Sequence, residues 1–283
     1  MHSEFNRSMA LSDYYQIISN SRKTYIAEWA CDHPKAVVIL IHGLGEHIRR
    51  YDEQFNYFNS KKMVCLSADL KGHGRSEGPR GIWNSIEDHY EIIDKLVDIV
   101  FSKYKGLPLV LYGHSMGGNI AAGYVINKRP KINGLILTGA AIKTPKDLPL
   151  FLINAVLSGP SFIKNRVIPN GLNLQSLCTD QKIVEMYKAD PLVHDRVSLG
   201  AGAIILKNAK SLLQYKIENN FPVLLMHGEN DKICYPSGTK LLQEIFTKKV
   251  VLKFWPNRLH EIHNDIDKIQ VWDYMIQWIN QIQ

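Results

Sequence analysis

Apolar residues recur along the chain in short Val/Ile/Leu-rich runs at 36–41, 63–68, 107–112, 134–138, 222–226 and 250–254. Runs this short, with few polar breaks, predict strands buried on both faces, as in parallel sheets. Between them the spacing changes. Ile86, Tyr90, Ile93, Val97 and Val100 recur at helical intervals, as do Ile266, Ile269, Trp272, Ile276 and Ile279, so each group predicts an amphipathic helix. Strand and helix therefore alternate, and the expected architecture is α/β, a mostly parallel, doubly wound sheet. The alternation fails between Thr144 and about Tyr215, where apolar helical segments are interrupted by Pro160, Pro169, Pro191 and several glycines. Residues 144–215 are accordingly expected to form a helical cap, inserted into a core made of residues 1–143 and 216–283.

Composition narrows the class without changing this picture. The 283 residues are 45% hydrophobic and 22% charged, which is ordinary for a globular enzyme and excludes a disordered or fibrous chain. Residues 1–10 are polar and lack the apolar run of a secretory signal. The apolar stretch 148–157 is broken by Pro149 and Asn154 and is too short to span a bilayer. Cys31, Cys65, Cys178 and Cys234 are far apart and show no C-x-x-C pairing, so neither a disulfide framework nor a zinc site is signalled. A reduced, cytoplasmic protein is expected. The net charge of +7 is spread over pairs such as Arg49-Arg50, Lys61-Lys62 and Lys248-Lys249. No basic tract marks nucleic acid as a partner, and a weak attraction to anionic lipid headgroups is compatible with the charge.

Candidate chemistry centres on Gly113-His114-Ser115-Met116-Gly117, a G-x-S-x-G pattern lying between a predicted strand and a predicted helix. That context is what the pattern requires: a sharp turn lifts the serine hydroxyl out of the sheet, and flanking glycines avoid side-chain clashes there. His42-Gly43-Leu44-Gly45 follows the first predicted strand. Backbone N–H groups of Leu44 and Met116 would converge on the negative oxygen of a tetrahedral intermediate. An acid and a histidine should follow the serine, each after a later strand. His227 to Asp231 offers two carboxylates, Glu229 and Asp231; Asp231 and His260 fit in order and position. His263 is a rival to His260, but it sits against the C-terminal helix, where a capping or surface role is expected. His114 adjoins Ser115 on a turn that points the two side chains apart, and His42, His47, His73 and His227 are read as supporting loops.

Taken together, His42 to His47, Asp69-Leu70-Lys71-Gly72-His73-Gly74-Arg75-Ser76, Gly113 to Gly118, Asp190-Pro191-Leu192-Val193, His227 to Asp231 and His260-Glu261 resemble the monoacylglycerol lipase and lysophospholipase family of α/β-hydrolases, with its serine aminopeptidase-like branch. The resemblance runs from about Tyr25 to the C-terminus. It implies an α/β-hydrolase fold, a carboxylic ester hydrolase without cofactor or metal, and a small lipid ester as substrate. It also implies a helical cap whose apolar channel takes an acyl chain. The family pattern favours Asp231 over Glu229, and so implies Ser115 as nucleophile, His260 as general base and Asp231 as the group orienting it. Lys71 stands where the family usually has Arg, Ala140-Ala141 where Ser-Pro is common, and Asp265 where Glu is common. In the cap, Phe151, Ile153 and Val156 offer apolar surface for an acyl tunnel or for transient contact with a membrane, with packing onto the core as the plain alternative. Phe162, Ile163 and residues 199–206 are read the same way. A short-chain esterase, thioesterase or peptidase is the enzymatic alternative, and a non-catalytic ligand-binding protein the other. Oligomeric state is left open.

Overall fold

A computed structural model of the chain describes residues 10–18 and 22–282. The polar stretch 1–10, read above as lacking a leader, lies outside the described residues except for Ala10. The core strands are β1 (Ala10–Ile18), β2 (Arg22–Ala30), β3 (Ala36–Ile41), β4 (Met63–Ala68), β5 (Leu109–His114) and β6 (Gly134–Thr138). After a separate short ribbon, β7 (Val167–Pro169) with β8 (Arg196–Ser198), come β9 (Val223–Gly228) and β10 (Val250–Trp255). Among the described residues, eight strands form one sheet in the order β1-β2-β4-β3-β5-β6-β9-β10. From β4 to β10 every neighbouring pair is parallel, whereas β1–β2 and β2–β4 are antiparallel. The mostly parallel, doubly wound sheet is the one expected from the pattern, and it has the α/β-hydrolase architecture that the resemblance implies.

Alternation along β3 shows how the two faces are filled. Val37, Ile39 and Ile41 point toward α2 (Glu87–Lys103) and α3 (Met116–Lys128), and α8 (Pro236–Ile245) adds Leu242 and Ile245 to the same core. Ala36, Val38 and Leu40 point the other way, toward α1 (Asp52–Ser60) and α9 (Lys268–Ile279), with Phe55, Phe58, Trp272 and Met275. Both sides are covered, so the strands read as continuous apolar runs. In α9 the observed phase differs from the sequence reading. The helix begins at Lys268, buries Trp272, Ile276 and Ile279, and leaves Ile266 and Ile269 exposed.

The hairpin β1–β2 was not legible as strands. Polar residues of β2 are buried and paired, which breaks the period-2 pattern: Glu28 accepts from Lys103 Nζ at 2.6 Å and from the Tyr104 hydroxyl. On the opposite face Trp29 meets Phe55 edge-on at 4.9 Å.

Between β6 and β9 lie α4 (Leu150–Ser158), α5 (Ser161–Lys164), β7, α6 (Gln181–Ala189), β8 and α7 (Leu199–Leu212). This segment is tied to the loops at the carboxyl ends of the strands. His194 N–H donates to Gly45 O at 2.9 Å, Glu261 N–H to Leu177 O at 2.6 Å, and Ser198 N–H to Gly81 O at 2.8 Å. In α7, Ala201, Ile205 and Leu212 pack into the main core, and Asn208 Nδ2 donates to Asn119 Oδ1 of α3 at 2.8 Å.

Candidate active site

Ser115 is the hinge between β5 and α3. Its backbone lies at φ 53°, ψ −118°, a conformation that costs a non-glycine residue roughly 1–3 kcal/mol and persists only when its surroundings hold it. The surroundings do so through three backbone bonds. Ser115 N–H donates to Thr138 O at 3.0 Å, while Ser115 O accepts from Ala141 N–H at 3.0 Å and Asn119 N–H at 3.1 Å. The flanking glycines are required by close approach. A Cβ on Gly117 would stand 1.9 Å from Ile41 O, and one on Gly113 would stand 2.5 Å from Gly117 O. The start of α3 thus crosses directly over the end of β3, which only hydrogen at these positions permits.

The loops after β9 and β10 bring their side chains to the same place. His260 Nε2 lies 2.9 Å from Ser115 Oγ, and His260 Nδ1 lies 2.7 Å from Asp231 Oδ2. Asp231 is fixed in turn: Oδ1 accepts from Ile233 N–H at 2.8 Å and Cys234 N–H at 3.0 Å, and Oδ2 also lies 2.9 Å from His227 Nε2. His227 is braced by Thr239 Oγ1 at 2.6 Å from its Nδ1. Burial works against both charged forms here, yet the pairing outweighs it. The two imidazoles hold the Asp231 carboxyl well below its ordinary range, and Asp231 by charge and hydrogen bond raises the His260 imidazole above 6.5.

The other candidates fall elsewhere. Glu229 is exposed to solvent. His114 Nδ1 bonds Thr138 Oγ1 at 3.0 Å, with its ring 4.8 Å from that of His260. His263 does lie against α9, its carbonyl accepting from Trp272 Nε1 at 2.9 Å, but the capping or surface role expected for it is wrong. The ring is fully buried and stacks on Tyr51 with centroids 4.9 Å apart, and burial pushes its pKa down to about 3. His42 accepts the Leu70 N–H at 2.9 Å, and His47 Nε2 lies 2.8 Å from Asp190 Oδ2.

The loop after β3 lies beside the serine, where a Cβ on Gly43 would stand 3.3 Å from Ser115 Cβ. Gly43 N–H donates to Glu46 Oε1 at 2.6 Å, and Leu44 follows it. Met116 is the first residue of α3, where N–H groups lack intrahelical acceptors. Glu46, Arg50 and Glu261 form a buried ionic group behind these loops. Glu46 and Arg50 lie four residues apart, but nothing local links either of them to Glu261, 211 positions beyond Arg50, and that separation hides the group in the sequence. Among the described residues no cluster of three or more His, Cys, Asp or Glu side chains is arranged to hold a metal, and the four cysteines are unpaired. No helix there is long and apolar enough to cross a membrane.

A family model described as serine aminopeptidase, S33, matches residues 32–267. The chain belongs to this family. Among its relatives, an uncharacterized abhydrolase domain-containing protein of Dictyostelium discoideum is 30% identical over 256 residues, 88% of this chain. The chain spans only 26% of that relative's length. A monoacylglycerol lipase of Mycolicibacterium smegmatis is 28% identical over 258 residues, covering 89% of this chain and 90% of its own. The crystal structure of Paleococcus ferrophilus monoacylglycerol lipase has a TM-score of 0.82 at 28% identity, covering 92% of this chain and 99% of that one. This chain is therefore a serine hydrolase of the α/β-hydrolase fold, similar to monoacylglycerol lipases.

Proposed function

We propose that the protein cleaves carboxylic esters of small lipids, a monoacylglycerol or lysophospholipid, through an acyl-enzyme on Ser115. The observation that carries this reading is the file of bonds from Ser115 Oγ through His260 to Asp231, at 2.9 and 2.7 Å. Ser115 Oγ attacks the ester carbonyl while its proton passes to His260 Nε2. The carbonyl oxygen becomes an oxyanion held by the Leu44 and Met116 N–H groups. His260 returns the proton to the departing alcohol, and the acyl group remains on Ser115. Water then attacks the acyl carbon, its proton goes to His260, and the fatty acid leaves as Ser115 regains its hydrogen. Asp231 keeps the imidazole in the tautomer with hydrogen on Nδ1.

Residues 144–215 act in this proposal as the cap that takes the acyl chain. Its α4 presents Leu150, Phe151 and Leu152 outward, with Phe162 beyond it, and we read this surface as the part that touches lipid transiently. The family description makes a peptidase the second reading. An aminopeptidase needs an acid to receive the substrate ammonium, but Glu46 and Glu261 behind the site are both engaged by Arg50.

Labelling with a fluorophosphonate probe, together with hydrolysis of acyl esters of increasing chain length, tests the proposal. Ser115→Ala should abolish labelling and lower kcat by roughly 10⁴–10⁶-fold. The wild type should prefer longer chains and outpace its own hydrolysis of aminoacyl anilides. Persistent labelling of Ser115→Ala would remove the mechanism, and faster turnover of the anilides would replace the substrate class.

A further inference from the structure

Behind the serine and the histidine lies a buried charge group that the reaction steps above do not use. The Arg50 side chain is 8% exposed, and those of Glu46 and Glu261 are 3% exposed each. Arg50 Nη1 donates to Glu46 Oε2 at 2.5 Å and to Glu261 Oε1 at 2.8 Å, while Nη2 donates to Glu261 Oε2 at 2.7 Å. The guanidinium also lies over the Tyr187 ring of α6, 4.6 Å from its centroid.

Each acid holds a different loop of the site. Glu46 Oε1 accepts the Gly43 N–H at 2.6 Å and the Tyr51 hydroxyl at 2.9 Å. A Cβ on Gly43 would stand 2.8 Å from Glu46 Oε1 and 3.3 Å from Ser115 Cβ. The backbone just before Leu44 is therefore wedged between the Glu46 carboxylate and the serine. Glu261 directly follows His260, and its backbone N–H is bonded to Leu177 O of the insertion. Glu261 Oε2 accepts a further bond from Asn264 Nδ2 at 2.8 Å.

Burial raises the pKa of the Glu46 carboxyl while Arg50 holds that of Glu261 low, and at this depth an ionic group is a weak source of stability, because desolvation offsets the attraction. What a planar, five-donor fork does supply is geometry: bonded to both carboxylates, it permits one relative placement of the loops that bear them. We propose that Arg50 is a positioning residue that locks the Leu44 loop to the His260 loop through Glu46 and Glu261. The amide donor and the base then keep one separation as charge develops on the substrate oxygen. The inference rests on the acyl-transfer reading, since it matters only if Leu44 N–H and His260 act on the same carbonyl.

Arg50→Met and Arg50→Lys, compared with wild type, test it by three readouts: kcat and KM for a soluble p-nitrophenyl ester, affinity for a trifluoromethyl ketone that forms a tetrahedral adduct with serine, and thermal unfolding. A misplaced oxyanion donor should lower kcat of folded Arg50→Met by about 10–100-fold. KM should stay within about threefold, and adduct affinity should fall by the same factor as kcat. Arg50→Lys should recover part of both, because an ammonium keeps the charge but loses the fork. A folded Arg50→Met with kcat within about twofold of wild type, or with unchanged adduct affinity, overturns the proposal. If Arg50→Met does not fold, Arg50→Lys decides: parallel losses in kcat and adduct affinity support the role, and wild-type values remove it. Ser115→Ala separates the two layers. Hydrolysis surviving in Ser115→Ala sinks the reaction itself, whereas serine-dependent hydrolysis with unaltered Arg50 variants sinks only the positioning role.

Discussion

At the scale of single residues, the balance at His260 sets the pH at which the proposed base is available. Burial alone would lower its pKa, but the adjacent Asp231 charge and hydrogen bond raise it above the ordinary 6.5. A general base must be neutral to accept a proton, so kcat/KM should rise with pH through a midpoint above 6.5. Asp231→Asn removes the raising charge, so the midpoint should move down while kcat falls by about 10⁴-fold through loss of the correct tautomer. A pH–rate profile of both proteins checks this. A wild-type acid limb at or below 6.5 would contradict the electrostatics.

At the scale of elements, α4 is informative because nearly all its residues are apolar while only part of it packs. Ile153 is fully buried, whereas Phe151 is 71% and Phe162, in α5, 76% exposed. Fully burying a phenyl side chain contributes about 1.5–3 kcal/mol. If these two rings enter a lipid surface, the double substitution Phe151→Ser with Phe162→Ser should weaken sedimentation with phospholipid vesicles at least about tenfold. Hydrolysis of a soluble short-chain ester should remain within about twofold of wild type, because neither ring belongs to the proposed catalytic group. Unchanged vesicle binding would assign the exposed face some other use. The helical pattern in 148–157 marked this segment as apolar but not which face turns outward, since a helix lacking a polar stripe carries no directional signal.

At the scale of the whole molecule, stability should fall on acidification beginning near neutrality. Burial pushes His42 and His263 down to about 3 and His89 down to about 4. The unfolded chain takes up these protons near 6.5 and the folded chain does not, so stability is lost as pH falls below that value. Asp231 and Glu261, held low by their partners, act in the same direction below their ordinary values of 3.8 and 4.5. His260 opposes them: its raised pKa contributes stability at low pH that is lost as pH rises through its folded value. His89 offers a clean test. It lies outside the site, its ring nitrogens have no hydrogen-bond partner among the described residues, and it packs edge-on against Trp83 at 4.5 Å. His89→Phe keeps that contact and removes up to about 3 kcal/mol of acid sensitivity. Its Tm should therefore decline less than wild type between pH 7 and 4, with hydrolysis retained. Equal slopes would show that His89 is protonated in the folded chain.

The amino-acid sequence by itself determined the alternation of parallel strands with helices, because burial on both faces leaves continuous apolar runs that any short window displays. It also determined which loops follow those strands, and so where Ser115, Asp231, His260 and Leu44 stand along the chain. Tertiary structure alone decided the rest. It buried Glu28 of β2 against Lys103 and Tyr104, which erased the local signature of the first hairpin. It sent His263 into the core against Tyr51 while turning His260 toward Ser115. And it joined Glu46, Arg50 and Glu261, although 211 positions separate the last two. The reason is range: periodicity records what each residue meets within one strand or helix turn, whereas these contacts are set by strand order, which brings the carboxyl ends of the parallel strands β3, β5, β9 and β10 to the same side of the sheet.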